Sequence, residues 1–402
     1  MIDLENAKSL LRDLVGFDTT SCNSNLPLVD YVVEYLSRYG VTSKIIRDES
    51  GRKANLVACI GPATVPGIVL SGHTDVVPAR EEGWLGSPFE LLERDGLLYG
   101  RGTSDMKGFL ACLLAAVPTM LAAPLKRPLY LCFSYDEEVG CVGVPSLTHY
   151  LANLPVKPLL TIIGEPSEMK YITGQKGKIS MICRVHGTAG HSSLAPKHVN
   201  AIKYSAQIIS MIEDLTESFK QNGPFDEDYS VPYSTMLTTI IHSGIATNIT
   251  PDSSSFNFEI RSLPEHDPVA VIEALKKRVA EDLEPLMKAV SPLAGVEWEE
   301  LFSYPAMGDA CGSEGFELIR TILPAWGGKV SYGSEGGMYE TVAGIPAVIL
   351  GPGSIVQAHK TNEYIEIEQL EECLAFLESL VEHLSKTATS AQDVNLPAAA
   401  HR

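Results

Sequence analysis

The sequence predicts an α/β protein: a central mixed, largely parallel sheet flanked by helices, interrupted by a smaller α+β unit of ferredoxin-like kind. Short apolar runs rich in β-branched residues alternate with stretches of helical periodicity, the pattern of helices covering a sheet. The chain has 402 residues, more than one ordinary core accommodates, so two domains are expected. After Gly174 the texture changes from buried runs to alternating, half-exposed ones.

In chain order, Leu4, Ala7, Leu10, Leu11 and Leu14 recur at helical spacing and open the chain with an amphipathic helix. A second helix starts near Pro27, with Val29, Val32, Val33 and Leu36 on one face and Gly40 as its stop. The runs Asn55–Ile60, Ile68–Leu70, Leu129–Phe133, Leu159–Ile163 and Ala347–Leu350 read as buried strands. Between the second and third lies an Ala/Leu/Met-rich helix over Met106–Leu121. Beyond Gly174, Lys178–His186, Thr235–Ile241, Ser254–Ile260 and Val296–Phe302 are strand-like, and Val199–Leu215 and Pro268–Met287 helical. That order suits a ferredoxin-like unit. The α/β texture then returns and ends with a helix over Glu368–Leu384. The expected organisation is therefore a discontinuous domain, 1–176 and 304–386, with an inserted domain at 177–303. The Ala/Ser/Thr-rich stretch 387–402 lacks periodicity and is expected to be disordered.

A net charge of −19 argues against nucleic acid or an anionic membrane surface as partner, since either calls for a basic patch. The start, Met-Ile-Asp-Leu-Glu-Asn, lacks the basic and apolar regions of a signal peptide. The apolar run Phe109–Val117 is too short to span a bilayer. Eight cysteines show no C-x-x-C pair, and Cys59, Cys132 and Cys183 sit in apolar runs, as reduced core thiols do. A cytoplasmic protein is expected.

Several hard-oxygen and imidazole donors follow apolar runs. His73-x-Asp75 follows Ile-Val-Leu; the pair is either an ordinary loop or a metal ligand with a carboxylate that fixes its tautomer and orientation. Asp105, at the start of the third helix, is either an N-cap or a carboxylate whose two oxygens bridge two metals. Glu137-Glu138 is either a solvated turn or a ligand, Glu138, beside a general base, Glu137. Glu165 ends a very apolar strand, where an unpaired charge is expensive, and His359 follows the last strand in a Gly-rich turn. Donors gathered beyond the carboxyl ends of strands mark the usual site of an open α/β sheet. A His/carboxylate set without cysteine suits zinc, cobalt or manganese.

The wording of these clusters carries a resemblance. Ser-Gly-His-Thr-Asp-Val-Val-Pro, Gly-Arg-Gly-Thr-Ser-Asp-Met-Lys-Gly, Asp-Glu-Glu-Val-Gly and Gly-Glu-Pro-Ser occur in this order. They resemble the aminoacylase, acetylornithine deacetylase and succinyl-diaminopimelate desuccinylase family of two-metal hydrolases, over about residues 5 to 385. The resemblance implies two divalent ions, zinc or else cobalt or manganese. His73, Asp105 and Glu165 would hold one; Asp105, Glu138 and His359 the other. It further implies Glu137 as general base and a cis peptide at Asp105–Met106. The inserted domain would be a lid through which a homodimer forms.

On that lid, Gly190-His191-Ser192-Ser193 resembles the family's Gly-His-Ser motif, whose His stabilises the oxyanion, often in the partner subunit's site; alone, His191 would read as a surface loop residue. Asn248 and Arg261 match positions that bind the substrate α-carboxylate; otherwise they are a turn residue and a strand-end ion pair. Ser230-Val-Pro-Tyr233, Tyr332-Gly-Ser-Glu335-Gly-Gly and Gly351-Pro-Gly-Ser lean toward the acetylornithine deacetylases. That implies removal of acetate from N2-acetyl-L-ornithine in arginine biosynthesis. Glu335 is then expected to meet the ornithine ammonium or shape the pocket near it, or else merely to cap a loop. Alternatives are a desuccinylase, a broader N-acyl-amino-acid amidohydrolase, a metallo-dipeptidase, and a non-catalytic metabolite-binding relative.

Overall fold

A computed structural model describes residues 1–386 apart from Glu81 and Asp309; the expectation for 387–402 lies outside the described residues. The chain begins with helices α1 (Leu4–Val15) and α2 (Leu26–Arg38), then strands β1 (Ser43–Arg47), β2 (Ala54–Ile60) and β3 (Ile68–His73). Helix α3 (Gly108–Ala122), β4 (Leu129–Ser134), α4 (Val144–Ala152) and β5 (Leu160–Ile163) follow. Next come β6 (Gly177–His186), α5 (Ala201–Asn222), β7 (Thr235–Ser243), β8 (Ser253–Ser262), α6 (Pro268–Asp282) and β9 (Gly295–Tyr304). The chain closes with α7 (Glu314–Ile322), β10 (Ala347–Ile349) and α8 (Ile367–Ser385).

The main sheet has the order β1-β2-β4-β3-β5-β10. Pairs β4–β3, β3–β5 and β5–β10 are parallel, while β1–β2 and β2–β4 are antiparallel. Its strands read as continuous apolar runs because both faces are covered. Leu56, Leu70, Leu131, Ile162 and Val348 point into a core shared with α1, α2, α3 and α8. Val57, Val69, Cys132, Ile163 and Ile349 point the other way, against α4.

Helix α3 is apolar all round and buried. The stretch Thr103–Ala122 has the length and hydropathy to cross a bilayer, but 78% of its most apolar window is packed inside the protein. Its N-terminal end presses on the sheet so closely that a Cβ at Gly164 would lie 2.0 Å from the Phe109 ring. Glycine is required there by contact.

The second sheet is ordered β7-β8-β6-β9 and antiparallel throughout. This ferredoxin-like sheet packs α5 and α6 on one face, around its own cluster of Ile179, Cys183, Ile208, Phe256 and Leu275.

Differences from the sequence reading lie at edges and ends. Strand β1 and helices α4 and α7 were not anticipated. β1 is half-exposed, with no apolar run to mark it. The helix expected over Pro268–Met287 breaks at Leu283, before Pro285. Cys132 and Cys183 are buried, whereas Cys59 is only partly so.

Candidate metal centre

Three parallel strands, β3, β4 and β5, end on one side of the sheet, and their ends supply the donors. His73 is the last residue of β3, Glu137 and Glu138 follow β4 by a short turn, and Glu165 lies two residues past β5. His359 arrives from the loop after β10 with φ 61°, and Asp136, just before Glu137, has φ 55°. Left-handed backbone at non-glycine residues is strained, and here it aims side chains at a common point.

Asp105 does not cap the helix. It sits three residues before α3 in a kinked turn, with φ −124° and ψ 92°, and its peptide to Met106 is cis. The turn delivers the carboxylate into the cluster. One oxygen, Oδ1, lies 3.0 Å from His73 Nε2; the other, Oδ2, lies 3.3 Å from His359 Nε2. His73 Nε2 is also 3.7 Å from Glu165, and His359 Nε2 is 2.9 Å from Glu138. The distances thus link His73 with Asp105 and Glu165, and His359 with Asp105 and Glu138. Donor atoms of His73, Glu137 and Glu165 lie within 4.8 Å of one another, as do those of His73, Asp105 and Glu138.

Asp75 acts differently from the expectation. His73 Nδ1 meets the main-chain oxygen of Asp75 at 2.9 Å, and the carboxylate is 3.7 Å away. That carboxylate instead accepts the main-chain N–H groups of Glu137 (3.1 Å) and Glu138 (3.3 Å) and the Ser21 hydroxyl (2.7 Å). Asp75 therefore fixes the acidic turn with its side chain and the imidazole with its backbone.

Crowded carboxylates perturb one another. Burial pushes the Glu137 carboxyl up to about 8, with His73 opposing and the charges of Glu138, Asp105 and Asp75 adding. Burial also raises Glu165 well above the usual range, helped by Asp105. For Asp105 burial pushes upward too, but hydrogen bonds from His359 and His73 outweigh it and hold the group below the usual range. His359 is pushed up to about 10 by Asp105 and Glu138. Four carboxylates and two imidazoles, all oxygen and nitrogen donors, form a set with excess negative charge. Such a set fits two divalent cations sharing Asp105.

Asp105, Glu137, Glu138, Glu165 and His359 line one wall of a cavity of about 280 Å³, with His73 buried behind them. Lys178, Arg261, Phe302 and Tyr304 of the second sheet line it too, with Tyr332 and Ile355. Arg261 donates to Glu259 at 3.0 Å and to the Tyr304 hydroxyl at 2.9 Å. Lys178 pairs with Glu259 at 2.7 Å and lies over the Phe302 ring. Two cations around one carboxylate leave a net positive patch facing the acidic wall.

His191 and Asn248 are brought to each other but are not among the cavity-lining residues. Gly190–His191 pairs with Ile249–Thr250, and Ser192 N–H donates to the Asn248 carbonyl at 3.0 Å. Both residues are exposed. Glu335, expected near a substrate ammonium, is fully buried and takes hydroxyl hydrogen bonds from Ser71 and Ser134. A direct contact with an incoming ammonium does not fit that position.

Sequence reasoning missed Glu363. Its buried carboxylate accepts Arg101 Nη1 at 2.7 Å and the N–H groups of Gly102, Ser104 and Asp105 at 3.0, 3.0 and 3.1 Å. It thereby holds the turn that carries Asp105 from a position four residues past His359. Lys178 was missed as well, because an alternating strand gives no hint of which exposed position faces a cavity.

Comparison with known proteins agrees with this chemistry. Residues 69–383 match the model of peptidase family M20/M25/M40. Acetylornithine deacetylase of Proteus mirabilis is 33% identical over 91% of this chain and 92% of its own. The acetylornithine deacetylase of Photorhabdus laumondii is 33% identical over 93% and 96%. Among solved structures, an M20 family metallo-carboxypeptidase of Sulfolobus solfataricus superposes with TM-score 0.74 at 19% identity, over 94% of this chain and 99% of that one. A Staphylococcus aureus tripeptidase gives 0.72 at 23%, over 96% and 99%. The chain belongs to peptidase family M20/M25/M40 and is a metal-dependent amidohydrolase.

Proposed function

We propose that the chain hydrolyses N2-acetyl-L-ornithine to L-ornithine and acetate. The observation that carries the reading is one cavity lined by Arg261 and by the carboxylates of two His/carboxylate groups that share Asp105. The naming of relatives at 33% identity as acetylornithine deacetylases supports the substrate. His73, Asp105 and Glu165 would hold one divalent ion, zinc or else cobalt or manganese, and Asp105, Glu138 and His359 would hold the second. Bound there, the pair supplies Lewis acidity that polarises an amide carbonyl and acidifies a water.

The remaining steps belong to the protein. Arg261 grips the substrate α-carboxylate and sets the acyl group against the acidic wall, assisted by Asn248 reaching in, like His191, from the second copy of a homodimer. Glu137 takes the proton of the attacking water at its carboxylate and passes it to the leaving amine nitrogen. His191 donates a hydrogen bond to the developing oxyanion, a contribution of ~2.7–4 kcal/mol for such donors. His191 reaches the site from the second copy of a homodimer, formed through the unit at 177–303. Edge strand β7 supports that assembly, with exposed Leu237, Ile240 and Ile241.

A second reading is a broader N-acyl-amino-acid amidohydrolase. Among the described lining residues, the cavity holds no carboxylate outside the four cluster acids for a side-chain ammonium. Turnover by metal-reconstituted protein decides between them, on N-acetylornithine beside N-succinyl-diaminopimelate, neutral N-acetyl amino acids and dipeptides. The highest kcat/KM is expected on N-acetylornithine; a preference for neutral acyl amino acids moves the assignment to the second reading.

A further inference from the structure

Glu335 has no place in the mechanism above, yet it lies against the strand ends that deliver the donors. Side chains alternate along a strand, so Val69, Ser71 and His73 share one face of β3 and Tyr130, Cys132 and Ser134 share that face of β4. In register, Ser71 pairs with Cys132 and His73 with Ser134. Glu335 fills the corner between them. Its Oε1 accepts the Ser71 hydroxyl and its Oε2 the Ser134 hydroxyl at 2.6 Å. Ser71 Oγ also lies 2.6 Å from the Tyr339 hydroxyl. The carboxylate therefore grips the residue two before His73 and the residue directly across from it.

Its hydrogen-bond partners among the described residues are the hydroxyls of Ser71 and Ser134, and Glu335 is 0% exposed. A buried carboxylate without a paired cation is costly. Cations taken up by the neighbouring cluster offset that cost, because fields in a dry interior are weakly screened. We propose that Glu335 is a positioning residue for metal uptake: it fixes the strand ends around His73, and its charge raises the affinity of the adjacent cluster for divalent cations. The inference rests on the reading of that cluster as the metal site.

The Glu335→Gln variant separates charge from shape. A glutamine accepts one serine hydroxyl at its oxygen and donates to the other serine oxygen, so both contacts persist without the charge. Titration of the metal-free variant with Co(2+) or Zn(2+) alone is expected to show affinity about tenfold or more below the parent. The metal-free Tm is expected to be unchanged or higher, since one buried charge is gone. At saturating metal, activity on N-acetylornithine and on a neutral N-acetyl amino acid should return toward the parent's to the same extent. Unchanged metal affinity overturns the proposal. So does a loss confined to N-acetylornithine, which would assign Glu335 to the ammonium, or a large drop in metal-free Tm with affinity retained, which would make it purely structural. If Glu335→Gln does not fold, Ser134→Ala removes one hydroxyl donor and is expected to lower metal affinity in the same direction; unchanged affinity there also overturns the idea. The underlying reading fails separately, if Asp105→Ala binds metal as the parent does.

Discussion

Asp105 and Glu137 sit close together yet carry different expectations. Asp105 offers one oxygen toward each histidine, so Asp105→Ala should lose metal, measured as ions retained after dialysis. Glu137 has no histidine within ion-pair distance among the described residues, and its backbone is held by Asp75. Glu137→Ala should keep its metal and lose about 10²–10⁴ in kcat; near-normal turnover would remove Glu137 as the base. Protons give a second check. The metal-free folded protein holds more protons than the unfolded chain, from pH 4.5 to about 8 at Glu137 and from 6.5 to about 10 at His359. Stability from these groups is therefore present at low pH and falls as pH rises. Lys107, pushed down to about 7 by burial, acts in the opposite sense. The rise in Tm on adding Co(2+) isolates the site and should be larger near about pH 8 than near about pH 6. An equal or smaller rise at the higher pH would contradict the shared site.

Among the elements, the turn before α3 and the sheet ends matter most. Glu363 neutralises Arg101 and satisfies three N–H groups of the turn, all within a buried region. Glu363→Ala leaves the guanidinium buried without its partner, a loss of ~3–5 kcal/mol, and should also weaken metal binding through Asp105. Denaturant unfolding with a parallel metal titration checks both. Gly164 lets α3 approach β5. In Gly164→Ala the new Cβ meets Phe109 at 2.0 Å, so overpacking should cost ~1–3 kcal/mol, read from the urea midpoint. The buried strands and the periodic helices were legible because apolar pattern reports burial. Strand β1 was not, since a half-exposed strand leaves no apolar run.

For the whole molecule, two hydrophobic clusters on either side of the main sheet and a third in the second sheet place the acidic wall opposite Arg261 and Lys178. His191 and Asn248 stand apart from that wall in a single chain, which is why assembly enters the proposal. Charged substitutions on β7, such as Ile241→Glu, should lower the sedimentation coefficient from dimer to monomer and reduce kcat together. A monomer that retains full activity would remove His191 from the reaction.

The sequence alone determined the fold class, through apolar pattern; donors that follow strands or open the helix after one, together with the family resemblance, pointed to His73, Asp105, Glu138, Glu165 and His359. His73 and Glu165 are visible in one dimension because each lies where its own strand stops, whereas Asp105 and His359 sit in turns away from strand ends. Tertiary structure decided what depends on convergence. It turned Asp75 toward the acidic turn and placed Glu335 beneath the strand ends, away from the cavity. It also recruited Glu363 to hold the Asp105 turn and set Lys178 beside Arg261. Such roles follow from which distant segments meet and how much water is excluded between them, and no local pattern encodes either.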